Sequence, residues 1–464
     1  MSGGMTISVT QAFDGAPIEE LPAHNEADIE LMLERAAVLF QNRKAWLPTY
    51  QRIDILRRLA RLVQRDFELF ALLIAREGGK PLTDARIEVA RAVNGVDGAA
   101  SELEYLAGTE IPMGLTPASA HRLAFTTREP IGVVAAISAF NHPLNLIVHQ
   151  VAPAIAAGCP VIIKPASTTP LTCRHFVALV HEAGLPPDWC QFALPKGNEL
   201  AEHLATDPRV AFLSFIGSAG VGWYLRAKLP PGTRCALEHG GAAPVIIDRS
   251  APLDDIITPL VKGGYYHAGQ VCVSVQRIFV HEDISKPFLE RFTAAVEKLR
   301  VGDPVLAETE VGPLILPKEV TRVEDWVNEA TKAGTRLVTG GKRISDRVYA
   351  PTILVEPPAN VRVSTKEVFG PVTCVYGYRD MDEAIARANS LPYAFQAAIF
   401  ASDINAALHG ARTLAGSAVL INDHTAFRTD WMPFAGQRQS GYGTGGIPYT
   451  MRDMTHEKMI VLKF

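Results

Sequence analysis

Apolar residues recur at helical spacing over the first hundred residues. One face of a helix repeats with a period of 3.6 residues, and two sets of positions fit it: Ile29, Met32, Leu33, Ala36, Ala37 and Phe40, then Ile53, Leu56, Leu59, Ala60 and Val63. The pattern predicts a mainly helical amino-terminal region. It changes at Arg122–Arg128, which roughly alternates like a solvent-facing strand before Pro130 interrupts it.

Beyond residue 130, short apolar runs alternate with helical segments. The runs predict strands at 132–137, 161–163, 191–194 and 211–215, and helices fit at about 146–157, 170–183, 198–205 and 218–228. Such alternation is typical of an α/β fold in which helices cover both faces of a parallel sheet. Ligands of these sheets bind beyond the carboxyl ends of the strands, where Lys164 and Gly217–Ser218 would project.

A second α/β pattern begins near Glu238. It predicts strands at 244–248 and 277–280 and helices at 285–299 and 318–333. The last apolar stretch, Lys458–Phe464, predicts a strand whose edge needs a partner. Because terminal strands fray unless docked, we expect this strand to pair across a subunit interface.

Composition narrows the function classes. The chain has 464 residues, 48% of them hydrophobic, and 45 Lys and Arg against 49 Asp and Glu give a net charge of −4. The length favours about two to three domains. This balance gives no excess of positive charge with which to bind nucleic acid or an anionic membrane. We therefore expect a small diffusing ligand. No segment resembles a signal peptide or a membrane span, which favours a soluble cytoplasmic protein.

Six cysteines lie far apart in the chain, without a CxxC pair or clustering with histidine: Cys159, Cys173, Cys190, Cys235, Cys272 and Cys374. This spacing indicates neither a disulfide framework nor a zinc site, so we predict no bound metal. Most of the six are expected to be buried, unreactive thiols.

Cys272 and Glu238 are the candidate reactive pair. Cys272 follows Gly269–Gln270, which predicts an irregular turn, although a lone cysteine is more often a small buried hydrophobe. Glu238 ends a predicted strand before Gly240–Gly241, although a lone glutamate is usually a solvated charge. A thiol can attack an electrophilic carbonyl, and a carboxylate can activate the water that releases the adduct. The pair therefore predicts two-step acyl chemistry.

Other polar residues follow the predicted strands. Asn141 either belongs to a plain turn or donates a hydrogen bond to an oxyanion. His142 is more often a packed or surface histidine than a base. Phe215–Gly222 leads from a strand into a helix whose amides suit a phosphate, but it lacks the GxGxxG fingerprint. Lys164 is notable only for its position at a strand end.

Together these segments resemble the aldehyde dehydrogenase superfamily over nearly the whole chain. Seven motifs occur in the family's order and approximate spacing: Phe140-Asn-His-Pro143, Lys164-Pro-Ala-Ser167, Gly217-Ser218, Glu238-His-Gly-Gly-Ala-Ala-Pro244, Gly269-Gln-Val-Cys272, Glu367-Val-Phe-Gly-Pro371 and Pro433-Phe-Ala-Gly-Gln-Arg-Gln-Ser-Gly441. The resemblance implies that Cys272 attacks an aldehyde while Asn141 and the Cys272 backbone N–H hold the oxyanion. Hydride then leaves for a nicotinamide, and water activated by Glu238 hydrolyses the thioester.

The resemblance also implies the cofactor contacts. Lys164 would contact the adenosine ribose, Gly217, Ser218 and Val221 the pyrophosphate region, Glu367 the nicotinamide ribose and Phe369 the nicotinamide. Many NAD-specific relatives have a glutamate where this chain has Ser167. A serine removes the repulsion of a 2′-phosphate, so we expect NADP to be accepted as well as NAD, and a preference for NADP is compatible with the same residue.

The substrate remains open at this stage. The segment 422–433 looks most like a branch acting on lactaldehyde, glyceraldehyde or phosphonoacetaldehyde. Relatives that take anionic aldehydes have arginines around the pocket, and in the phosphonoacetaldehyde enzymes one of them immediately precedes the nucleophile, where this chain has Val271. A strongly anionic substrate is therefore disfavoured, unless Arg277, Arg428 or Arg438 supplies the charge. His239, where leucine is usual in the family, is a further departure.

The resemblance implies a fold and an assembly. We expect a doubly wound, Rossmann-like cofactor domain (1–110 and 131–237), an α/β catalytic domain (238–435) and a small β oligomerisation element (111–130 and 436–464) in a homodimer or homotetramer. The alternatives are an acylating enzyme that uses coenzyme A, a non-catalytic binding protein of the same fold, and a cysteine hydrolase. Glu238 argues against the first because acylating members lack it, and the cofactor motifs argue against the last.

Overall fold

Two large α/β layers make up most of the molecule. A computed structural model describes residues 5–464, so the first four residues of the predicted 1–110 segment lie outside the described part. The helices are α1 (Glu26–Gln41), α2 (Thr49–Arg65), α3 (Phe67–Gly78), α4 (Leu82–Glu102), α5 (Asn145–Ala157), α6 (Pro170–Glu182), α7 (Asn198–Thr206), α8 (Ala219–Lys228), α9 (Leu253–Tyr265), α10 (Glu282–Val296), α11 (Pro317–Lys332), α12 (Arg362–Thr365), α13 (Met381–Asn389), α14 (Ile404–Thr413) and α15 (Ile447–Asp453).

The strands are mostly short. They are β1 (Thr6–Thr10), β2 (Pro17–Pro22), β3 (Glu110–Ile111), β4 (Arg122–Pro130), β5 (Val133–Ile137), β6 (Val161–Lys164), β7 (Cys190–Phe192), β8 (Val210–Ile216), β9 (Arg234–Glu238), β10 (Ala243–Ile247), β11 (Val275–His281), β12 (Arg336–Thr339), β13 (Thr352–Val355), β14 (Val372–Tyr378), β15 (Tyr393–Ala394), β16 (Gln396–Phe400), β17 (Ala418–Ile421), β18 (Gln437–Arg438), β19 (Gly441–Tyr442) and β20 (Thr455–Lys463).

The first sheet has the order β19-β9-β8-β5-β6-β7, in which β5 to β9 run parallel and β19 is antiparallel. Every residue of its central strand β5 is buried. Alternate residues enter two different cores: Val134 and Ala136 pack with the cluster that contains α2 to α6, and Val133 and Ala135 pack with α1, α7 and α8. This two-sided burial explains the continuous apolar run and confirms the predicted doubly wound sheet.

The second sheet has the order β12-β13-β14-β11-β10-β16-β17, parallel except for β12. Its core is a single cluster that includes Val245, Ile246 and Phe279, with α9, α10 and α11 packed against it. The late segment of the chain returns to the first sheet, because Gly441 and Tyr442 of β19 pair with Glu238 and Leu237 of β9.

The last strand, β20, pairs with β4 of its own chain through one edge, and the expected pairing across a subunit interface stays a prediction for the other edge. Thr455 to Lys463 pair antiparallel with Pro130 to Arg122, and the third sheet has the order β20-β4-β3. One edge of β20 is therefore satisfied by β4. Pro130 belongs to β4 instead of interrupting it, since proline is tolerated at a strand end.

The amino-terminal region is not helical throughout. β1 and β2 form an antiparallel hairpin that packs through Val9 and Leu21 against Leu171 and Leu194. Among residues 5–464, no helix combines the length and apolarity that a bilayer crossing demands.

Candidate active site

The carboxyl edge of the first sheet brings the predicted polar residues to one side of the molecule. β5 leads to Asn141, β6 ends at Lys164, β8 leads to Gly217–Ser218 and β9 ends at Glu238. A cavity of about 840 Å³ opens here between the two large sheets. Of the predicted site residues, the cavity is lined by Asn141, Gly217, Ser218, Val221, Glu238, Cys272, Glu367 and Phe369.

Cys272 reaches the cavity from a strained turn after α9. His267, Ala268 and Gly269 have φ angles of +48°, +54° and +70°, a left-handed run that costs free energy in the non-glycine residues. The Gln270 side chain holds this turn: Nε2 donates to the carbonyls of His267 (3.2 Å) and Pro313 (3.1 Å). The irregular turn predicted from Gly269–Gln270 is present. Gly269 is required there, because a Cβ would lie 2.2 Å from the Gly370 carbonyl oxygen.

Cys272 is half-buried at the cavity wall, whereas Cys159, Cys173, Cys190 and Cys374 are fully buried. Burial raises the pKa of the Cys272 thiol to about 12, and the positive charge of Arg428 opposes this rise. Burial therefore favours the neutral thiol, which has to lose its proton before the sulfur attacks.

Glu238 is the candidate base for the hydrolytic step and lines the same cavity. Burial raises its pKa above the ordinary 4.5, and Arg428, whose Nη1 lies 4.0 Å from Oε2, lowers it in part. A carboxylate with a raised pKa is a stronger general base than a surface carboxylate with an ordinary pKa. The carboxylate is tightly enclosed, because a Cβ on Gly445 would lie 2.0 Å from Oε1.

Asn141 is buried and oriented. Its Nδ2 donates to the Gln270 carbonyl oxygen at 3.0 Å, which ties the end of β5 to the turn that carries Cys272. This contact places an amide donor next to the nucleophile segment, the position that an oxyanion donor needs. His142 is a packed histidine, as predicted: its Nδ1 lies 2.8 Å from Lys80 Nζ.

Buried glutamate side chains cap the amino termini of two helices at this edge, α5 and α6. Glu88 accepts from the N–H groups of Leu144 (2.9 Å) and Asn145 (3.1 Å) at the start of α5. Glu77 accepts from Leu171 (2.9 Å) and Thr172 (2.8 Å) in the first turn of α6, and burial raises its pKa to about 7.

The amino terminus of α8 is different. It begins after Ser218 without a side-chain cap, and Gly217 and Ser218 line the cavity. Free N–H groups and the helix dipole make such a terminus a site for an anion. Of the helices that follow β5, β6 and β8, α8 alone keeps its amino terminus available for a phosphate of a dinucleotide.

Glu367 faces the first sheet from the second. Its Oε1 accepts from the Gly241 N–H at 3.1 Å, and burial raises its pKa to about 7. A Cβ on Gly240 would lie 1.6 Å from that oxygen, so only glycine fits against it. Phe369 contacts Phe140 edge to face, with ring centroids 5.9 Å apart.

Lys164 and Ser167 are not among the residues that line the cavity. Lys164 Nζ donates to the Pro165 carbonyl at 3.0 Å, and Ser167 is exposed. Their neighbours Ala166 and Thr168 do line the cavity. The segment therefore borders the cavity, and the contacts of Lys164 and Ser167 with a cofactor stay predictions.

Positive charge lines the other end of the cavity. Arg428 lies 3.6 Å from the Phe434 ring centroid, and its Nη2 lies 3.2 Å from His149 Nδ1. Arg91 also lines the cavity and pairs with Asp430 at 2.7 Å. The other two arginines considered from the sequence lie elsewhere: buried Arg277 donates to backbone carbonyls, and exposed Arg438 does the same.

Sequence reasoning missed Arg91 and the buried Lys80–Glu88 ion pair. Both belong to a row of charged residues, Lys80, Asp84, Glu88 and Arg91, at the three- and four-residue spacing of one helix face. Asp84 and Glu88 are buried, since the same helix packs Ala85, Val89 and Ala92 in the core. Charges on the buried side of a helix were the signal that could have revealed this network.

Comparisons with known proteins agree over the whole chain. Residues 1–460 match the profile of the aldehyde dehydrogenase family. A 3-sulfolactaldehyde dehydrogenase from Priestia megaterium is 36% identical over 98% of this chain and 94% of its own. Aldehyde dehydrogenase 21 from Physcomitrella patens in complex with the reaction product succinate has a TM-score of 0.96 and 34% identity, covering 100% of this chain and 96% of its own.

A third similar protein was solved with a cofactor. Glyceraldehyde-3-phosphate dehydrogenase from Methanocaldococcus jannaschii, complexed with NADP, has a TM-score of 0.94 and 34% identity, with 100% of both chains covered.

Proposed function

This chain belongs to the aldehyde dehydrogenase family, and we propose that Cys272 is its nucleophile, Glu238 its base and Asn141 its oxyanion donor. It is an NAD(P)-dependent oxidoreductase that converts an aldehyde to a carboxylic acid. The observation that carries the assignment is that all three side chains line one cavity together with Gly217–Ser218 and Glu367.

The residues divide the reaction between them. The Cys272 thiol gives up its proton to solvent, its sulfur attacks the aldehyde carbon, and the Asn141 amide with the Cys272 backbone N–H stabilises the oxyanion. The free amino terminus of α8 at Ser218 fits the pyrophosphate of NAD(P)⁺, and Glu367 with Phe369 fits the nicotinamide riboside. When bound, the cofactor accepts the hydride from the aldehyde carbon.

Glu238 then serves the hydrolytic step. Its carboxylate takes a proton from the water that attacks the thioester, which releases the acid and returns Cys272 to its resting state. A carboxylate enclosed beside the thiol supports hydrolysis over transfer of the acyl group to coenzyme A. Free acid instead of acyl-coenzyme A is the expected product.

Two variants test this assignment. Cys272→Ala should abolish turnover while NADP⁺ still binds, measured by fluorescence titration. Glu238→Gln should give a first burst of reduced cofactor, equal to one per active site, followed by steady turnover at least about a hundredfold slower. Unchanged steady-state turnover in Glu238→Gln would exclude it as the base.

We further infer that the substrate is a small aldehyde with an anionic group. Val271 alone disfavoured such a substrate, but Arg428 and Arg91 place two guanidinium groups at the cavity wall. Among residues 5–464, Arg428 Nη1 makes one polar contact, at 4.0 Å with Glu238, so it can bind a carboxylate, sulfonate or phosphate. Relatives named for 3-sulfolactaldehyde and aspartate semialdehyde act on anionic aldehydes, which supports the revision.

A panel of aldehydes of equal length tests the charge. We expect Arg428→Met to lower kcat/KM about a hundredfold for aldehydes with a carboxylate or sulfonate, the loss of about 2.7 kcal/mol from a charged hydrogen bond. An uncharged aldehyde should lose less, because for it Arg428 acts only through the ionisation of Cys272 and Glu238. The exposed Arg379, paired with Glu282 on the surface, provides the control Arg379→Met. Equal losses for both aldehyde types would contradict an anion-binding role.

For the cofactor, we propose that NADP is accepted because Ser167 carries no negative charge to repel a 2′-phosphate. Ser167→Glu should lower kcat/KM for NADP⁺ more than for NAD⁺. A roughly hundredfold preference of the unaltered enzyme for NAD⁺ would overturn this proposal.

A further inference from the structure

His239 lies directly after the proposed base and is almost completely buried, with 2% exposure. Its ring sits between strand β8 and helix α8. The Phe215 ring lies 5.8 Å away and the Trp223 ring 5.9 Å away, centroid to centroid, both edge to face. An imidazole in this place connects the base segment to the helix at the cofactor end of the cavity.

One hydrogen bond fixes the tautomer of His239. Its Nδ1 lies 3.0 Å from the Gly217 carbonyl oxygen. Because a carbonyl only accepts, Nδ1 carries the proton. In the described part of the chain, Nε2 is buried without a hydrogen-bond partner. Burial lowers the pKa of His239, which agrees with a neutral ring that has a single donor.

That hydrogen bond controls an N–H group on the cavity side. A peptide unit is planar and trans, so the Gly217 carbonyl and the Ser218 N–H point in opposite directions. Holding the carbonyl on His239 therefore fixes the direction of the Ser218 N–H. The backbone N–H of Gly217 is fixed as well, because it donates to the Glu238 carbonyl at 3.0 Å.

The ring also supports the first turn of α8. A Cβ on Gly222 would lie 1.9 Å from His239 Cε1, so the helix backbone rests directly on the imidazole. The imidazole therefore contributes to the spacing between α8 and the end of β9 as well as to the hydrogen bond.

We propose that His239 is a positioning residue for the cofactor: it orients the Gly217–Ser218 peptide and the start of α8 so that their N–H groups meet the pyrophosphate. This rests on the proposed function, which places the pyrophosphate at Ser218. His239 does not touch the aldehyde and acts only through the turn it holds.

Three substitutions separate the hydrogen bond from the bulk of the ring. His239→Asn puts an N–H at the place of Nδ1, His239→Gln puts it one atom farther out, and His239→Leu removes it. Binding of ADP-ribose, which contains the pyrophosphate, and of AMP, which does not, is measured by calorimetry on the full-length enzyme. Thermal denaturation of each variant is recorded alongside.

We expect His239→Leu and His239→Gln to weaken ADP-ribose binding about tenfold and to leave AMP binding unchanged, the effect of one lost hydrogen bond. His239→Asn should restore most of the affinity. Equal affinities for ADP-ribose in all variants, or equal losses for ADP-ribose and AMP, would overturn the proposal. If the leucine variant does not fold, the Asn and Gln pair decides by the same criterion.

Ser218→Asp separates this inference from the proposed function. A carboxylate at Ser218 repels a pyrophosphate bound there, so unchanged ADP-ribose binding in Ser218→Asp would show that the cofactor site itself is misplaced. Weakened binding in Ser218→Asp with unaffected His239 variants would refute only the role of His239.

Discussion

At the scale of single residues, Arg428 influences both steps of the proposed reaction, the attack by Cys272 and the hydrolysis assisted by Glu238. Its charge opposes the effect of burial on both Cys272 and Glu238, so it favours the ionised form of each. The same guanidinium lines the cavity in which we propose that the substrate binds. An anionic substrate bound there would neutralise Arg428 and raise both pKa values while the cavity is occupied.

This arrangement predicts the pH dependence of turnover. A base works only when ionised, and burial raises the pKa of Glu238, so activity should fall as the pH drops through a value above its ordinary 4.5. Arg428→Met removes the stabilising cation and should move this fall to a higher pH. The measurement is kcat against pH with an uncharged aldehyde.

Arg379→Met is the control for that shift and should leave the midpoint in place. A midpoint that moves to lower pH in Arg428→Met would show that the arginine does not stabilise the Glu238 carboxylate.

The sequence could predict that the site residues lie close together, because their motifs follow strands and the carboxyl ends of parallel strands meet at one edge of a sheet. Asn141, Glu238 and Cys272 meet at one cavity for this reason. Arg91 could not be found in that way, because it comes from a helix whose position depends on packing between distant segments. The predicted substrate charge rested on Val271. The sequence could not show which of Arg277, Arg428 and Arg438 lines the cavity, because the fold decides the surroundings of each.

At the scale of elements, α4 is the helix that supports the nucleophile edge. Its Glu88 accepts hydrogen bonds from two backbone N–H groups at the start of α5, the first of them three residues beyond Asn141. Glu88 also forms an ion pair with the buried Lys80. Burial alone would raise the pKa of Glu88, but Lys80 and His142 outweigh it and hold that pKa well below 4.5. A buried ion pair of this kind stabilises poorly on its own and is costly to break.

Glu88→Gln should therefore act on both stability and catalysis. It leaves the Lys80 charge without its partner in the core, so we expect a loss of about 3 kcal/mol or more in the free energy of unfolding. Because Asn141 lies beside the loosened turn, kcat should fall more than KM changes. Denaturant unfolding and steady-state kinetics measure the two effects.

Asp97→Asn provides the matched control, since Asp97 is exposed on the same helix. Wild-type stability in Glu88→Gln would contradict the assigned role of the ion pair.

The elements themselves were largely predictable. Buried parallel strands are continuous apolar runs, and β5, β6 and β8 lie within a residue or two of their predicted positions. The β1–β2 hairpin was missed although Asp14–Gly15 is a turn signal, and Gly15 has a φ of +79°. Its stability comes from Leu171 and Leu194, which no local pattern around β1 reveals.

At the scale of the whole molecule, we propose the division into a cofactor domain, a catalytic domain and a β element for assembly. The two large sheets have separate cores, which supports the first two. One edge of β20 is left free by β4, and the strand exposes apolar side chains beside it, among them Met459, Val461 and Leu462, followed by Phe464. Exposed apolar residues on an edge strand are a liability that a second copy of the chain would cover.

We therefore expect a homodimer or homotetramer that depends on β20. Introducing charge with Met459→Glu and Val461→Glu should dissociate it to monomers, because buried charges without partners oppose association. Light scattering after gel filtration measures the mass. Lys463→Glu, at an exposed position of the same strand, should leave the assembly intact, and an unchanged mass in the double variant would exclude this edge as the contact.

The cavity that joins Ser218 to Arg428 is continuous, so its two ends can be occupied by one molecule. A compound that tethers an acidic mimic of the product to a nucleotide diphosphate would bind each end at the high effective concentration set by the other. Its affinity should exceed that of either fragment by orders of magnitude, and such a bisubstrate inhibitor would discriminate this enzyme from relatives that lack a cationic pocket.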